Sequence, residues 1–410
     1  MHTTTWKRLC TISLAVLPLA LVGSAMAQSG AYDNITQYAT IGTDGFYSSI
    51  AAGPDGALWY TQTVANSIGR MTTTGTAAAY PVPTPNSNLF GIAPGPDGAL
   101  WFAEYNGNNI GRITTAGAIT EYAVPTAGSC PVWIVAGPDG ALWFTEYCAN
   151  KIGRITTTGQ FTEYTVPYGG NPVGVAVGSD GALWFTQQNN DTVGRITTAG
   201  AITQFPLNSG AQPFGIAAGP DGALWFVEYG SGQVGRITTA GVVTQYTVSG
   251  SPYYIAAGPD GALWFTQYQV ARIGRITTSG VVTEYPAGAE AYGIAAGPDG
   301  ALWSVDEDSV GRAPACGLGF STSFSGSTLT LNFDLGIDTP ATLNIFLVNS
   351  GGVTFAEPFS KAISPVVPPQ TLTMNWNPFP NEGTVTVKPT LTAGSGQAIC
   401  AEWKTVNTAR

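Results

Sequence analysis

Histidine is almost absent: the only one in 410 residues is His2. Imidazole is the usual general base near neutral pH and the commonest metal ligand. Its scarcity excludes Ser-His-Asp hydrolysis and histidine-built zinc sites. Charge is scarce too. Charged residues make up 10% of the chain, with 15 Lys plus Arg against 25 Asp plus Glu and a net charge of −10. That balance excludes the basic footprint of a nucleic-acid binder and gives an anionic membrane nothing to attract. Walker, Rossmann and zinc-ligand patterns are missing. Beyond the N-terminal leader, no apolar run is long enough for a helical membrane span.

What is plentiful is Gly (53 residues), Pro (28 residues) and hydrophobic side chains (44%). This mixture suits many short strands joined by tight turns, and argues against both helical bundles and disorder. Residues 1–27 read as a signal peptide. Lys7 and Arg8 form a positive start, Leu9 to Val22 a short apolar stretch, and Ala25-Met26-Ala27 a cleavage site. The expectation is a secreted or periplasmic protein beginning at Gln28. His2 leaves with the leader. The leader holds no Asp or Glu, so losing Lys7 and Arg8 takes the formal charge from −10 to −12. Cys10 leaves as well. Cys130, Cys148, Cys316 and Cys400 remain, an even set for an oxidising compartment.

The string G-x-D-G-A-L-W occurs seven times, with its glycine at Gly53, Gly95, Gly137, Gly178, Gly219, Gly258 and Gly297, at steps of 42, 42, 41, 41, 39 and 39 residues. A period near 40 built from strand-like segments marks a β-propeller blade. One blade can be read from 131 to 167. An inner strand runs Pro131 to Gly137, a turn Gly137-Pro138-Asp139-Gly140, and a second strand Ala141 to Tyr147. A third strand runs Lys151 to Thr157 and an outer strand Phe161 to Val166. Seven copies of the first three strands are present, but only six outer strands follow them. Ile35-Thr36-Gln37-Tyr38 matches Ile119-Thr120-Glu121-Tyr122 and precedes the first full copy. The N-terminal strand should therefore complete the last blade, closing the ring and removing two sheet edges.

The fold class is all-β: a seven-bladed β-propeller over 28–312, then a small C-terminal β-sandwich of Ig-like size over 313–410. The second domain is expected to hold strands near Thr328–Phe333, Thr342–Val348, Thr371–Trp376 and Thr384–Lys388. Three disulfide pairings are open. Cys130 and Cys148 fall in two loops on one face of the same blade, which favours Cys130–Cys148 and leaves Cys316–Cys400 to tie together the ends of the second domain.

Positions kept in every copy read as scaffold. These are the turn aspartates from Asp55 to Asp299, the tryptophans from Trp59 to Trp303 as inter-blade packing, and the arginines from Arg70 to Arg312 as blade-to-blade bonds. One Asp per blade does not converge into a Ca²⁺ site. Variable positions are the candidates for binding. Three residues after each Trp stand Gln62, Glu104, Glu146, Gln187, Glu228, Gln267 and Asp306. They would form either a polar ring at the funnel mouth or simply solvated strand ends. The start of each inner strand holds Ser48, Phe90, Val132, Val173, Phe214, Tyr253 and Tyr292, with Tyr47, Trp133 and Tyr254 adjacent. That ring suits a glycan, peptide or cation, or else packs the axis.

The run G-P-D-G-A-L-W-F-T-E, followed by N-x-I-G-R-I-T-T-x-G and T-E-Y and clearest over 136–166, resembles the streptogramin B (virginiamycin B) lyase family across about 35–312. The resemblance implies an elimination that opens a cyclic depsipeptide, with a histidine base and a Mg²⁺ ion near glutamates. In the family the inner-strand position of the last two blades carries His; here it carries Tyr253 and Tyr292. Glu290 keeps a family Glu two residues before the second of these, and Asp306 stands where a further Glu is expected. Glu290 and Asp306 are thus the candidate Mg²⁺ ligands, and Tyr253, Tyr292 and Glu290 the candidate catalytic positions. A Tyr with a pKa near 10 is a poor base at neutral pH, and neighbouring carboxylates push it further up.

Three readings follow. The first is an exported binding module using the funnel face for a glycan, peptide or protein. The second is a divergent Mg²⁺-dependent lyase. The third is a cell-surface protein whose main contact is made by residues 313–410.

Overall fold

The computed structural model describes residues 35–40, 49–287, 290–306 and 309–314, together with the strand segments 11–13, 318–325, 328–335, 341–349, 359–363, 370–376, 384–393, 398–401 and 404–407. The chain divides into two compact units: Asn34–Ala313, and Met1–Asp33 with Pro314–Arg410.

The first unit is a seven-bladed β-propeller of four-stranded antiparallel sheets. Blade 3 runs Pro131–Ala136, Leu142–Glu146, Lys151–Ile155 and Phe161–Thr165 from axis to rim. Blade 7 is assembled from both ends of the unit. Ile294–Ala296, Ala301–Val305 and Ser309–Pro314 are completed by Thr36–Ala39, with Thr36 opposite Arg312 and Ala39 opposite Ser309. Helix is confined, among the described residues, to the 3₁₀ turn Gln188–Asn190, and none is long and apolar enough to cross a membrane.

The repeated residues explain why each blade forms. In blade 3 the turn ends on Gly140 at φ +75°, a backbone that glycine adopts without strain. Asp139 then ties three strands together. Its Oδ1 accepts the indole N–H of Trp143 at 3.0 Å, and its Oδ2 accepts the Nε–H of Arg154 at 2.7 Å. The Arg154 guanidinium also lies over the Trp143 ring, 6.0 Å from its centroid. All seven blades repeat this Asp–Arg pair, from Arg70–Asp55 to Arg312–Asp299. The arginines thus bond within their own blade, not between blades as the sequence suggested. Burial alone would raise the Asp139 pKa, but the bonds from Trp143, Arg154 and the Ala141 amide outweigh it and hold the carboxyl below its usual range.

The tryptophans do pack between blades. Trp101 of blade 2 is fully buried in one cluster with Leu142, Phe144 and Ile155 of blade 3. Its outer face stacks on Tyr122, and Trp303 finds the equivalent partner in Tyr38 of the closing strand. Each such aromatic pair adds about 1 kcal/mol beyond the burial of its area.

In the second unit the described segments form two antiparallel sheets. One orders Leu318–Ser325, Thr328–Leu335 and Gln370–Trp376, with Thr11–Ser13 paired outside Gln370–Trp376. The other orders Phe359–Ile363, Ala341–Asn349, Thr384–Ala393 and Ala398–Ala401, with Lys404–Asn407 also on Thr384–Ala393. Thr11–Ser13 falls inside the segment read as a leader. Cys316 lies outside the described residues, and so does the Cys316–Cys400 expectation.

Candidate functional site

The inner strands Leu89–Pro94, Pro131–Ala136, Pro172–Val177, Pro213–Ala218 and Ser251–Ala257 share one irregularity. In the first four the register with the second strand shifts between the first and fourth residues, as between Pro131 and Ile134, and in Ser251–Ala257 between Pro252 and Ile255. Such a bulge turns two consecutive side chains out of the pleat. It also frees a backbone N–H, which in blades 3, 4 and 6 a threonine of the second strand receives. The Trp133 N–H donates to Thr145 Oγ1 at 3.0 Å, and the Thr145 hydroxyl donates to the Val173 carbonyl of the next blade at 2.7 Å. Thr266 does the same for Tyr254 and Tyr292, at 3.1 and 2.9 Å. Through these hydroxyls blade 3 is tied to blade 4, and blade 6 to blade 7.

The first bulge side chain faces a cavity of about 530 Å³ on the side where the inner strands begin. Phe90, Val132, Val173, Phe214 and Tyr253 line it. The rest of its wall comes from Tyr105, Tyr147, Gln188, Tyr229 and Tyr268, with Asn88 and Gln269 from the loops. Those five sit one residue beyond the Glu/Gln position. Reading the repeat one step further would have found them, since four of the five are Tyr.

The aromatic rings form two walls. Phe90, Tyr105 and Tyr147 belong to blades 2 and 3, with Phe90 5.2 Å from Tyr105 and Tyr105 6.5 Å from Tyr147. Phe214, Tyr229, Tyr253 and Tyr268 belong to blades 5 and 6. Phe214 stacks on Tyr253 at 4.3 Å, and Tyr253 lies 5.8 Å from Tyr268. Blade 4 separates the walls with Val173 and Gln188.

The second bulge side chain points deeper. In five blades it is small: Ser49, Gly91, Gly174, Gly215 and Gly293. In blades 3 and 6 it is Trp133 and Tyr254. Those two rings stack at 4.9 Å. Two blades lie between them on the ring, so they meet only at the axis, where they fill the channel below the cavity. Trp133 is thus an axial plug residue and is not part of the cavity lining. Tyr292 is also away from the lining. It is buried, 1% exposed, with its ring 6.0 Å from Tyr268.

The position three after Trp lies inside the blades, not at the funnel mouth. Gln62, Glu104, Glu146, Gln187, Glu228 and Gln267 are all 0% exposed. Each reaches sideways under its own blade. Glu104 Oε2 accepts from Asn109 Nδ2 at 3.1 Å. Glu228 accepts from Gln245 at 2.6 Å and from Ser231 at 2.7 Å. Gln267 donates to Glu284 at 2.8 Å. Burial, with Glu121 close by, raises Glu104 to a pKa of about 7 despite the Asn109 bond. Burial and Glu163 raise Glu146 to about 8, against the pull of Lys151. Glu146 is therefore largely protonated at neutral pH and Glu104 about half so, each beside a second glutamate of the outer strand. Burial and the nearby Tyr147 raise the pKa of the Tyr105 phenol, the direction that leaves less phenolate at neutral pH.

Asp306 is 7% exposed and engaged by Ser309, whose N–H donates to Oδ1 at 2.6 Å and whose hydroxyl donates to Oδ2 at 2.7 Å. Glu290 is partly exposed and not among the cavity-lining residues. Among the described residues no group of three His, Cys, Asp or Glu side chains could hold a metal ion. Ser48 and Tyr47 lie outside the described residues.

Cys130 and Cys148 form a disulfide at the rim, with Cα atoms 5.3 Å apart. The Tyr105 hydroxyl is 3.7 Å from Cys148 Sγ, which ties the bridge to the cavity wall.

Solved structures with this architecture include virginiamycin B lyase from Staphylococcus aureus, 39% identical over 68% of this chain and 98% of that one, with a TM-score of 0.65. A streptogramin B lyase is 36% identical over 69% of this chain and 99% of its own, with a TM-score of 0.66. A catalytically inactive histidine-to-alanine variant of the Staphylococcus aureus enzyme, solved with quinupristin, is 38% identical over 68% of this chain and 98% of its own, with a TM-score of 0.65. The curated proteins contain no match. The virginiamycin B lyase family model matches residues 21–251 and 178–318, most of the chain, and with these identities it establishes that the chain belongs to the virginiamycin B lyase family.

Proposed function

We propose that this protein is a binding propeller of the family, in which the aromatic cavity on the axis holds a glycan, peptide or protein segment without transforming it. The observation that carries this reading is the chemistry of the cavity wall. It contains Tyr, Phe, Val, Asn and Gln, and no His, carboxylate, Lys or Cys. Abstraction of a carbon-bound proton near neutral pH needs a base poised there. In the family relative solved with quinupristin, loss of a single histidine accompanies inactivity. Here Tyr253 and Tyr292 stand at the family's histidine positions.

The disulfide and the leader-like residues 1–27 support export to a secreted or periplasmic location. We assign the two C-terminal sheets to a β-sandwich that serves as an accessory or surface-contact domain.

Membership in the family favours a second reading, a divergent lyase. It would hold Mg²⁺ near Glu290 and Asp306, with Tyr253 or Tyr292 in the histidine's place. One experiment separates the two. The full chain is incubated with quinupristin and Mg²⁺, and ring opening is followed by mass spectrometry. The binding reading expects intact quinupristin. Turnover that Glu290→Gln abolishes would replace it with the lyase reading.

A further inference from the structure

The geometry points to a neutral oligosaccharide as the ligand of the axial cavity, an inference that rests on the binding reading above. Three observations lead there.

The first is charge. None of the residues lining the 530 Å³ cavity is Asp, Glu, Lys or Arg. An ionic ligand group would lose its water and find no counter-charge, a cost no neutral ligand carries. The volume itself lies in the range of small-molecule sites.

The second is the mixture of surfaces. Tyr105 and Tyr147 on one wall face Phe214, Tyr253 and Tyr268 on the other, and Asn88, Gln188 and Gln269 supply amides with both donors and acceptors. A pyranose ring has matching parts. Its C–H faces carry slight positive charge and sit well on the negative face of an aromatic ring. Its hydroxyls exchange hydrogen bonds with amides and phenols.

The third argues against an extended peptide. One recurring way for an extended peptide to gain affinity for a β-protein is to add a strand to a free sheet edge. The inner strands leave no such space. A Cβ built on Gly91 would lie 2.9 Å from the Trp133 Cα, one on Gly174 2.6 Å from the Phe214 carbonyl, and one on Gly215 3.0 Å from the Tyr253 carbonyl. Neighbouring inner strands already touch backbone to backbone, and the Trp133–Tyr254 stack closes the axis beneath. A compact ring-bearing ligand fits the cavity and a threading chain does not.

The test is isothermal titration of the full chain with maltotetraose and cellotetraose, tetragalacturonate as the charged counterpart, and quinupristin as the family probe. Binding is expected for at least one neutral tetrasaccharide, about tenfold tighter than tetragalacturonate, and weakened about tenfold by Tyr105→Ala and by Tyr268→Ala. Should either variant lose its fold, Gln188→Ala on blade 4 gives the same readout from a side chain outside the aromatic walls. Equal affinity for the charged and neutral sugars overturns the inference. Quinupristin binding that these variants weaken, with no sugar bound at millimolar concentration, overturns the carbohydrate assignment and leaves the binding reading standing. Binding of neither class overturns both.

Discussion

Tyr38 stacks on Trp303 with ring centroids 5.7 Å apart, so the seventh blade is finished by the first strand of the propeller. The same stack is made inside one continuous segment in the other blades, for example Trp143 on Tyr164 at 5.5 Å. Closure therefore depends on residues 36–39, and Tyr38 is its main apolar contact. Tyr38→Ala should destabilise the propeller by about 2–3 kcal/mol. Denaturant unfolding measures this directly. Val242→Ala, at an exposed turn, is the neutral comparison.

Trp133 and Tyr254 replace glycine or serine at the axis and close the channel. Trp133→Gly restores the repeat's own residue at that position. It should leave the blades intact, cost about 2–4 kcal/mol in lost packing, and join the cavity to the opposite face. A crystal structure of the variant would reveal the continuous channel. A channel refilled by neighbouring side chains would contradict the plug role.

The two buried glutamates give stability a pH dependence. Glu146 has a folded pKa near 8, above its ordinary 4.5, so the folded state holds the proton more tightly than the unfolded chain. The contribution is complete below pH 4.5 and is lost as pH rises through 8. Its size is on the order of 4 kcal/mol across that window. Glu104 behaves alike and is exhausted near pH 7. Glu146→Gln should flatten the stability profile between pH 5 and 9, with the variant gaining on the parent as pH rises. Denaturation midpoints over that range test it. An unchanged slope would mean that Glu146 is ionised in the fold.

The Cys130–Cys148 bridge occupies a place where blade 4 uses a hydrogen bond. Asn171 is equivalent to Cys130 and Asn189 to Cys148, and Asn189 Nδ2 donates to Asn171 Oδ1 at 2.7 Å. Cys130 also sits at φ +55° and Asn171 at φ +54°, a backbone that suits asparagine better than cysteine. Removing the bridge by a double alanine change should cost about 3 kcal/mol. Replacing both cysteines with asparagine should recover about 1 kcal/mol of that. Thermal unfolding of the two double variants compares them.

The seven-fold string carried the architecture openly. A turn aspartate, a tryptophan and an arginine recurring every 39 to 42 residues specify a blade, because each copy contains the bonds that fold it. The displaced strand at Thr36–Ala39 was also readable, since only one outer strand was missing and only one match stood elsewhere. The Cys130–Cys148 pairing followed from the same spacing.

The site was harder to read, for a reason that Gln267 and Tyr268 make plain. They are neighbours in the strand Leu263–Tyr268, yet Gln267 lies buried beneath its blade and Tyr268 lines the cavity. Strand alternation predicts that they face apart, but it does not say which one faces the axis. That depends on how the blades pack around the ring. The same holds for Trp133 and Tyr254, which blades 3 and 6 bring together although two blades separate them. Contacts within a repeat are set by local spacing and can be counted along the chain. Contacts across the axis arise only when all seven blades close, because only closure brings the inner strands within reach of one another.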